Sequence, residues 1–262
     1  MGRVICIANQ KGGVGKTTTA VNLAAALALM GKKTLLVDCD PQGNATSGLG
    51  VNPAEGAPTL YQVLIGQAAA QEAIVPTQVE GLSLLPAEVN LFGAEVELAD
   101  EQGRNRLLAG ALAPLKESYA YTILDCPPSL GILTVNALAA CDGVLIPLQC
   151  EYYALEGLTQ LLHTVARVRR GLNPGLKLEG IVLTMFDRRN NLSHQVAADV
   201  RKHFGHRVFN TLIPRNVRLS EAPSFGKPVM LYDPRSTGSR AYLALAQELL
   251  ARHGQEARGG EN

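Results

Sequence analysis

Short apolar runs alternate with longer segments of helical spacing along most of the chain. The apolar runs predict strands at 4–9, 34–38, 82–86, 121–125, 143–148, 179–185 and 208–213. The segments with helical spacing predict helices at 16–30, 91–99, 104–117, 131–140, 155–170, 193–204 and 238–252. Continuous apolar runs are typical of strands buried on both faces, and strand–helix–strand joins form right-handed crossovers. The pattern therefore predicts an α/β fold with a mostly parallel, doubly wound sheet flanked by helices on both faces.

Two stretches fit this pattern poorly. Residues 51–80 contain structure breakers and indicate only a short helix around 60–65. Residues 254–262 are polar, and we expect a disordered tail there. Because nothing marks a second domain boundary, we expect a single domain over residues 1–253.

A glycine-rich loop follows the first predicted strand and opens the first predicted helix. Its residues are Lys11, Gly12, Gly13, Val14, Gly15, Lys16, Thr17 and Thr18. Glycines let backbone N–H groups turn inward, and a helix N-terminus behind such a loop binds phosphate. Lys16 is expected on the β- and γ-phosphates and Thr17 on Mg²⁺, so the sheet is expected to be of the P-loop NTPase type. The motif departs from the standard P-loop, because Gln10 stands where glycine is usual and a second lysine, Lys11, follows it.

Acidic residues follow two predicted strands, at the edge where open α/β sheets bind ligands. Asp38 ends one strand and Asp40 follows it, so either can face the phosphates. Asp125 ends a strand that resembles a Walker B element, and its carboxylate is expected in the Mg²⁺ shell. Asp40 is placed to orient an attacking water. The metal candidates are therefore Thr17, Asp40 and Asp125, in a site for a nucleoside triphosphate.

The distribution of charge is more informative than its total. The 262 residues carry a formal net charge of +1, which by itself implies no partner. The window 160–220 holds eleven Lys or Arg and three acids, a local charge of +8. Such asymmetry indicates a polyanion partner or, equally, a set of solvated helix faces.

The cysteines and the apolar runs restrict the compartment. The five cysteines form no C-x-x-C pair, and most lie in or beside apolar runs. This favours free, packed thiols in a reducing compartment over a disulfide framework or a zinc site. No apolar run approaches the ~18 residues that a membrane span requires.

Five motifs give the chain a resemblance to the ParA/MinD family of ATPases, and within it to the ParA/Soj partitioning group. They lie at 11–18, which resembles the family's deviant Walker A loop, and at 38–44, 125–129, 149–157 and 214–223. The resemblance extends from about residue 3 to residue 250. The later motifs are longer and more specific than the glycine-rich loop alone.

The resemblance implies an ATP-bound homodimer in which Lys11 reaches the phosphates of the partner subunit. It implies four catalytic residues: Lys11, Lys16, Asp40 as the residue that activates water, and Asp125 in the second switch. It also places Thr18 on the α-phosphate, and Pro214 and Asn216 where the family contacts adenine.

The resemblance further implies that the ATP dimer binds double-stranded DNA without sequence preference. Arg189 and Arg218 match positions that the family uses for DNA, and charge density adds Arg188, Arg215, Lys202 and Arg207. A Mg²⁺-dependent ATPase of slow intrinsic turnover is implied, stimulated by a ParB-type centromere-binding protein. The expected location is cytoplasmic and nucleoid-associated, without membrane contact.

Two other functions remain open on the same fold. A MinD-like ATPase that positions cell division needs an amphipathic C-terminal helix for membrane targeting, and the tail at 254–262 has no apolar face. A metabolic or redox relative, such as an iron-protein-like reductase or an amide-forming synthetase, is the second. A bridging cluster would use Cys126 and Cys150, but their apolar settings favour packing.

Overall fold

The computed structural model describes residues 2–151 and 154–259, with the backbone alone at 154, 156 and 257–259. Eight strands form its sheet: β1 (Arg3–Ile7), β2 (Thr34–Asp38), β3 (Val75–Pro76), β4 (Leu82–Leu85), β5 (Tyr121–Asp125), β6 (Gly143–Gln149), β7 (Lys177–Phe186) and β8 (Val208–Pro214).

The first six α-helices are α1 (Lys16–Leu29), α2 (Asn44–Gly48), α3 (Leu60–Leu64), α4 (Ala70–Ala73), α5 (Leu91–Glu97) and α6 (Leu107–Leu112). The remaining helices are α7 (Ile132–Ala140), α8 (Ala154–Gly171), α9 (Asn191–Phe204), α10 (Val217–Glu221), α11 (Val229–Tyr232) and α12 (Thr237–Gly259). Short 3₁₀ turns lie at Arg104–Arg106, Ala113–Leu115, Gly205–Arg207 and Ala222–Phe225.

The strands form one sheet in the order β3-β4-β2-β5-β1-β6-β7-β8. Every neighbouring pair is parallel except the edge pair β3–β4. Since β1 lies inside the sheet and the chain winds away from it in both directions, the predicted doubly wound fold is confirmed. Parallel strands end at a common edge, so the loops after β1, β2, β5, β6, β7 and β8 meet there.

Alternate residues of the central strands bury into two separate cores. On β1, Ile5 packs into the core that contains α1 and α12, whereas Cys6 packs into the core that contains α7 and α8. All five cysteines are free and buried, as the apolar runs predicted. Burial on both faces explains why these strands appear as continuous apolar runs.

The last helix is longer than predicted. α12 continues to Gly259, so the prediction of a disordered tail is wrong for residues 254–259, while 260–262 lie outside the described residues. Contacts with the body of the domain fix this end of the helix. The His253 ring shares a hydrogen bond of 2.9 Å between Nδ1 and the Tyr121 hydroxyl, and its Nε2 donates to the Glu179 carboxylate at 2.7 Å. Arg3 donates to Glu256 at 2.7 Å.

Short elements account for the other differences. The sequence pattern did not predict β3, α2, α4, α10 or α11, because one turn of helix or two residues of strand is too short to show a period. The helix predicted at 104–117 is α6 between two 3₁₀ turns. Among the described residues, no helix combines the length and the apolarity that crossing a membrane requires.

Two glycine backbones touch where the loop after α2 meets the turn after Ala222–Phe225. Gly226 has a φ of 61°, and a Cβ there would lie 2.6 Å from the Gly50 Cα. Gly56 has a similar φ of 78° but nothing within 4 Å of a Cβ. A side chain at Gly56 would therefore meet backbone strain alone, whereas one at Gly226 would meet both strain and a steric clash.

We expect Gly226→Ala to lower the free energy of unfolding by about 2–4 kcal/mol, because strain and overpacking combine. Gly56→Ala should lower it by only about 1 kcal/mol, from the left-handed conformation alone. Urea unfolding of both variants measures the difference. Equal losses would contradict the close approach of the two backbones.

Candidate active site and arginine groove

The glycine-rich loop has the conformation that its sequence predicts. Gly13 and Gly15 have φ values of 73° and 88°, a region that residues with a side chain enter at a cost. α1 begins directly at Lys16, so its first N–H groups point into the loop. This arrangement can surround a phosphate group with backbone donors.

Two polar residues that the sequence analysis missed hold the loop in place. Asn9, only 3% exposed, donates from Nδ2 to the Pro147 carbonyl at 2.8 Å and accepts from the Lys11 N–H at 3.0 Å. Thr184 donates from its hydroxyl to the Val14 carbonyl at 2.8 Å. The only signal in the sequence is a polar residue at the end of each apolar run.

Lys16 lies under the loop and is 7% exposed. Its ammonium donates to the Lys11 carbonyl at 3.1 Å. Burial lowers the pKa of Lys16, whereas the carboxylates of Asp125 and Asp40 raise it. The predicted phosphate lysine and two predicted acids are therefore close neighbours.

Asp125 is a buried carboxyl group without a hydrogen-bond partner. Its exposure is 0%, and neither side-chain oxygen is paired. Burial, and then the charge of Asp38, hold the pKa of Asp125 well above its usual range, while the nearby Thr17 hydroxyl opposes the shift. A buried carboxylate without a hydrogen-bond partner is unstable unless a cation neutralises it.

Asp38 and Asp40, which the sequence left as alternatives, have different environments. The Asp38 Oδ2 accepts from the Thr46 N–H at 2.9 Å and from its hydroxyl at 2.7 Å, so Asp38 anchors α2. Burial raises the pKa of Asp38 to about 6. Asp40 is 8% exposed, and its Oδ1 accepts only from the Gln42 N–H at 3.0 Å. Asp40 is therefore the acid that remains available to a ligand.

The oxygen atoms of Thr17, Asp40 and Asp125 suit Mg²⁺. This ion prefers oxygen ligands and is held in nucleotide sites by one or two carboxylates plus phosphates. Among the residues that the structure describes, no three His, Cys, Asp or Glu side chains form a self-sufficient metal site. The phosphates of a nucleotide are the usual further ligands of Mg²⁺ in such a site.

Lys11 lies at the mouth of the loop, where 44% of its side chain is exposed. Its ammonium forms an ion pair with Glu151 of the same chain, just beyond β6. Glu151 belongs to the motif at 149–157, of which Tyr152 and Tyr153 lie outside the described residues. The sequence analysis gave Glu151 no role.

A cleft of about 480 Å³ lies beside the loop, between the ends of β7 and β8. Gly15, Thr18, Pro214 and Asn216 line it, so four of the residues predicted to hold the nucleotide lie around one cleft. Asn216 also has structural contacts: it accepts from the Arg218 N–H at 3.0 Å and donates to Thr237 at 2.7 Å.

A groove of about 870 Å³ adjoins this cleft; we call it the arginine groove. Its charged lining consists of Asp187, Arg188, Arg189, Arg215 and Arg240. Three of these arginines were predicted, but Arg240 on α12 was missed because it lies outside the basic window of the sequence.

Arg218 does not line the groove. It lies on α10 and donates to Glu221 at 2.8 Å, with Asp233 3.3 Å away. The hydrogen bond and charge of Glu221 raise the pKa of the Arg218 guanidinium. Its charge is thus partly balanced within the chain.

The fold divides the basic window of 160–220 between opposite edges of the sheet. Four arginines, at 188, 189, 215 and 218, lie near the edge that carries the glycine-rich loop. The other seven basic residues lie near the ends of α8 and α9 or the starts of β7 and β8, towards the far edge. The window is therefore two surfaces and not one.

The cysteines proposed for a bridging cluster are packed inside the protein. Cys126 is 0% and Cys150 is 6% exposed. Burial raises the pKa of Cys150 to about 11, which disfavours the thiolate that a cluster requires.

Comparison with known proteins identifies relatives along nearly the whole chain. A family model described as an AAA domain matches residues 2–178. The chromosome partitioning protein ParA of Myxococcus xanthus is 59% identical over 252 residues, which cover 96% of this chain and 89% of that protein. The chromosome-partitioning ATPase Soj of Treponema pallidum is 55% identical over 255 residues, covering 97% and 100%.

Solved structures share the whole fold. Cobyrinic acid a,c-diamide synthase from Mycobacterium smegmatis, with a bound ATP analogue and magnesium, has a TM-score of 0.85 and 41% identity. The match covers 98% of this chain and 97% of that one. The cell division ATPase MinD of Pyrococcus furiosus has a TM-score of 0.80 and 30% identity, over 96% and 99% of the two chains.

We expect Asp125→Asn to raise the free energy of unfolding of the nucleotide-free protein at pH 7 by about 1–3 kcal/mol. A carboxyl group whose pKa is raised by folding stabilises the protein below its unfolded pKa, and this stabilisation is lost as pH rises. The advantage of the variant should therefore shrink towards pH 4.

Thermal melting with and without Mg²⁺ and ADP completes this experiment, because the variant should lose the stabilisation that depends on Mg²⁺. The exposed Glu101→Gln is the control and should change neither quantity. A less stable Asp125→Asn with a full Mg²⁺ response would contradict the assignment.

Proposed function

Since the chain belongs to the ParA/Soj family of chromosome-partitioning ATPases, we propose that its ATP state controls dimerisation and non-specific DNA binding. One observation carries the nucleotide part of this proposal. Lys16, Thr17, Asp40 and Asp125 converge where the loop meets the sheet, around a buried carboxyl group that has no partner.

The residues of the site have distinct tasks in ATP hydrolysis. The loop N–H groups and Lys16 hold the phosphates, and Asp40 orients the attacking water. Thr17, Asp40 and Asp125 hold Mg²⁺, which neutralises phosphate charge when bound. The magnesium and ATP analogue named for the related synthase structure support this choice of ligands. The cleft lined by Pro214 and Asn216 receives the adenine.

Dimerisation depends on Lys11. The loop already has Lys16 for its own phosphates, and the exposed Lys11 is paired only with Glu151. Two ATP molecules held between subunits bring a large negative charge together, which a second cation can neutralise. Lys11 therefore leaves Glu151 and reaches the partner's phosphates. Neutralising that charge stabilises the closed dimer.

DNA binding uses the arginine groove. Arg188, Arg189, Arg215 and Arg240 present positive charge along one concavity next to the nucleotide cleft. Guanidinium groups on phosphates give affinity without sequence preference. Arg218 extends this surface on α10, where its pairs with Glu221 and Asp233 hold the side chain in place.

The remaining parts of the proposal follow from family membership. Isolated turnover is slow, a ParB-type centromere-binding protein stimulates it, and hydrolysis then opens the dimer and releases DNA. The protein accordingly works on the nucleoid in the cytoplasm.

The two competing functions have weaker support. Identity to the MinD structure is 30% and to the synthase structure 41%, against 59% to the partitioning protein of M. xanthus. Liposome sedimentation with ATP tests the MinD-like function, and an iron absorbance band in the purified protein would revive the redox one.

We expect Lys11→Ala to bind nucleotide with near-normal affinity but to remain monomeric in ATP. The substitution leaves Lys16 in place and removes the charge that crosses between subunits, together with the exposed ion pair to Glu151. Light scattering with ATP measures the dimer, and the exposed Lys32→Ala, on the far side of α1, is the control. Dimerisation of Lys11→Ala like that of the wild type would reject this role.

We expect Arg189→Glu and Arg215→Glu each to weaken ATP-dependent DNA binding at least about tenfold, and to reduce its dependence on salt. Arg169→Glu makes the same change of charge at the far edge of the sheet and should bind normally. Anisotropy of a labelled duplex with ATP, ADP and no nucleotide, across a salt series, measures the effect. If Arg218→Glu or the groove variants still bind DNA fully in ATP, this surface is wrong.

A further inference from the structure

An exposed apolar strip runs along α5 and the turn before it; we call it the α5 strip. Val89, Phe92 and Val96 are 73%, 47% and 77% exposed. Their spacing places them on one side of the helix, whereas Leu91 and Ala94 on the other side are buried. α5 therefore contributes to the core with one face and leaves a second apolar face uncovered.

The surroundings of the strip are acidic. Residues 34–103 contain ten Asp or Glu and no Lys, Arg or His. Half of these acids flank the strip: Glu88, Glu95, Glu97, Asp100 and Glu101. Exposed apolar side chains on one side of a helix, surrounded by acids, are typical of a binding site for another protein, and the negative charge selects a basic partner.

The charge excludes other occupants. DNA and anionic membranes would be repelled. A second copy that packed strip against strip would bring ten acids together, at a cost in repulsion. Arg167, Arg169 and Arg201 lie on α8 and α9, where the described side chains include no exposed large apolar residue that could fit the strip.

We propose that the α5 strip binds a basic amphipathic segment of a partner protein. Apolar side chains at helical spacing on that segment cover Val89, Phe92 and Val96, and flanking Lys or Arg pair with the acids. We identify this partner as the protein that stimulates hydrolysis, and this identification rests on the proposed function. The assignment of the α5 strip as a binding surface does not depend on it.

The strip has a physical connection to the active site. The Glu95 carboxylate lies so close to Gly131 that a Cβ there would collide with it, and Ser129 is adjacent. Ser129 and Gly131 belong to the loop that follows Asp125. The other side of α5 is fixed, since the Tyr61 hydroxyl donates to Glu97 at 2.7 Å. A segment that pairs with Glu95 therefore acts directly on the loop behind the Mg²⁺ carboxylate.

The test compares two exposed apolar sites in the full chain. Phe92→Asp combined with Val96→Asp alters the strip, whereas Leu29→Asp alters a residue of matched exposure, 48%, at the end of α1. Asp100→Lys combined with Glu101→Lys changes only exposed charges and cannot disturb the core. Circular dichroism confirms that each variant is folded.

The first probe is a synthetic peptide of about 18 residues with Lys and Leu at helical spacing, with a scrambled peptide as control. By anisotropy on nucleotide-free protein, Phe92→Asp/Val96→Asp and Asp100→Lys/Glu101→Lys should each bind it at least about tenfold more weakly, and Leu29→Asp within about twofold of wild type. Unchanged binding by Phe92→Asp/Val96→Asp would overturn the proposal.

The second probe is the full-length ParB-type partner, added to an ATPase assay with DNA. Phe92→Asp/Val96→Asp should keep basal turnover and ATP-dependent DNA binding but lose stimulation. If this variant instead stays monomeric in ATP, the strip is a contact between subunits and the proposal is wrong. If wild type shows no stimulation or no ATP-dependent DNA binding, the proposed function fails, while the peptide arm still decides the surface.

Discussion

The structure of the active site depends on a buried carboxyl group that the chain itself does not neutralise. Asp125 lies in the middle of the sheet, beside Asp38 and Asp40, and Lys16 is the one ammonium group that acts on it in the described residues. Three carboxyl groups against one cation leave an excess of negative charge in a dry environment. Such an arrangement costs stability unless a further cation arrives.

The parallel sheet makes this concentration of charge possible. Each strand brings its last residue to the same edge, so Asp38 and Asp125 are direct neighbours in the β2–β5 pairing. The chain stabilises Asp38 with Thr46 but leaves Asp125 unpaired. Stability is thus lost at a buried, unpaired acid that a metal ion can neutralise, which is characteristic of functional sites.

The sequence predicted those parts of the molecule that rest on local pattern. β5 occupies 121–125 as predicted, because an apolar run that ends in an acid is unambiguous. Asn9 and Thr184 could not be predicted, because their partners, Pro147 and Val14, are distant in sequence. For the same reason the basic window could not be divided from the sequence: the chain lies at the far edge of the sheet both before β7 and again after α9, and seven of the eleven basic residues lie there.

The uneven distribution of charge along the chain acquires a spatial meaning in the fold. The segment 34–103 is wholly acidic in its charged residues and carries both Asp40 and α5, whereas the arginine groove comes from β7, β8 and α12. The cleft between the ends of β7 and β8 adjoins the arginine groove, and it is lined by the glycine-rich loop on one side and by 213–217 on the other. A bound triphosphate would therefore add negative charge next to the arginines, while its metal adds positive charge next to the aspartates. The negative triphosphate thus partly neutralises the arginines, and the positive metal ion partly neutralises the aspartates. Nucleotide binding therefore changes the electrostatic potential of both regions at once, and each region can transmit the nucleotide state to a different partner.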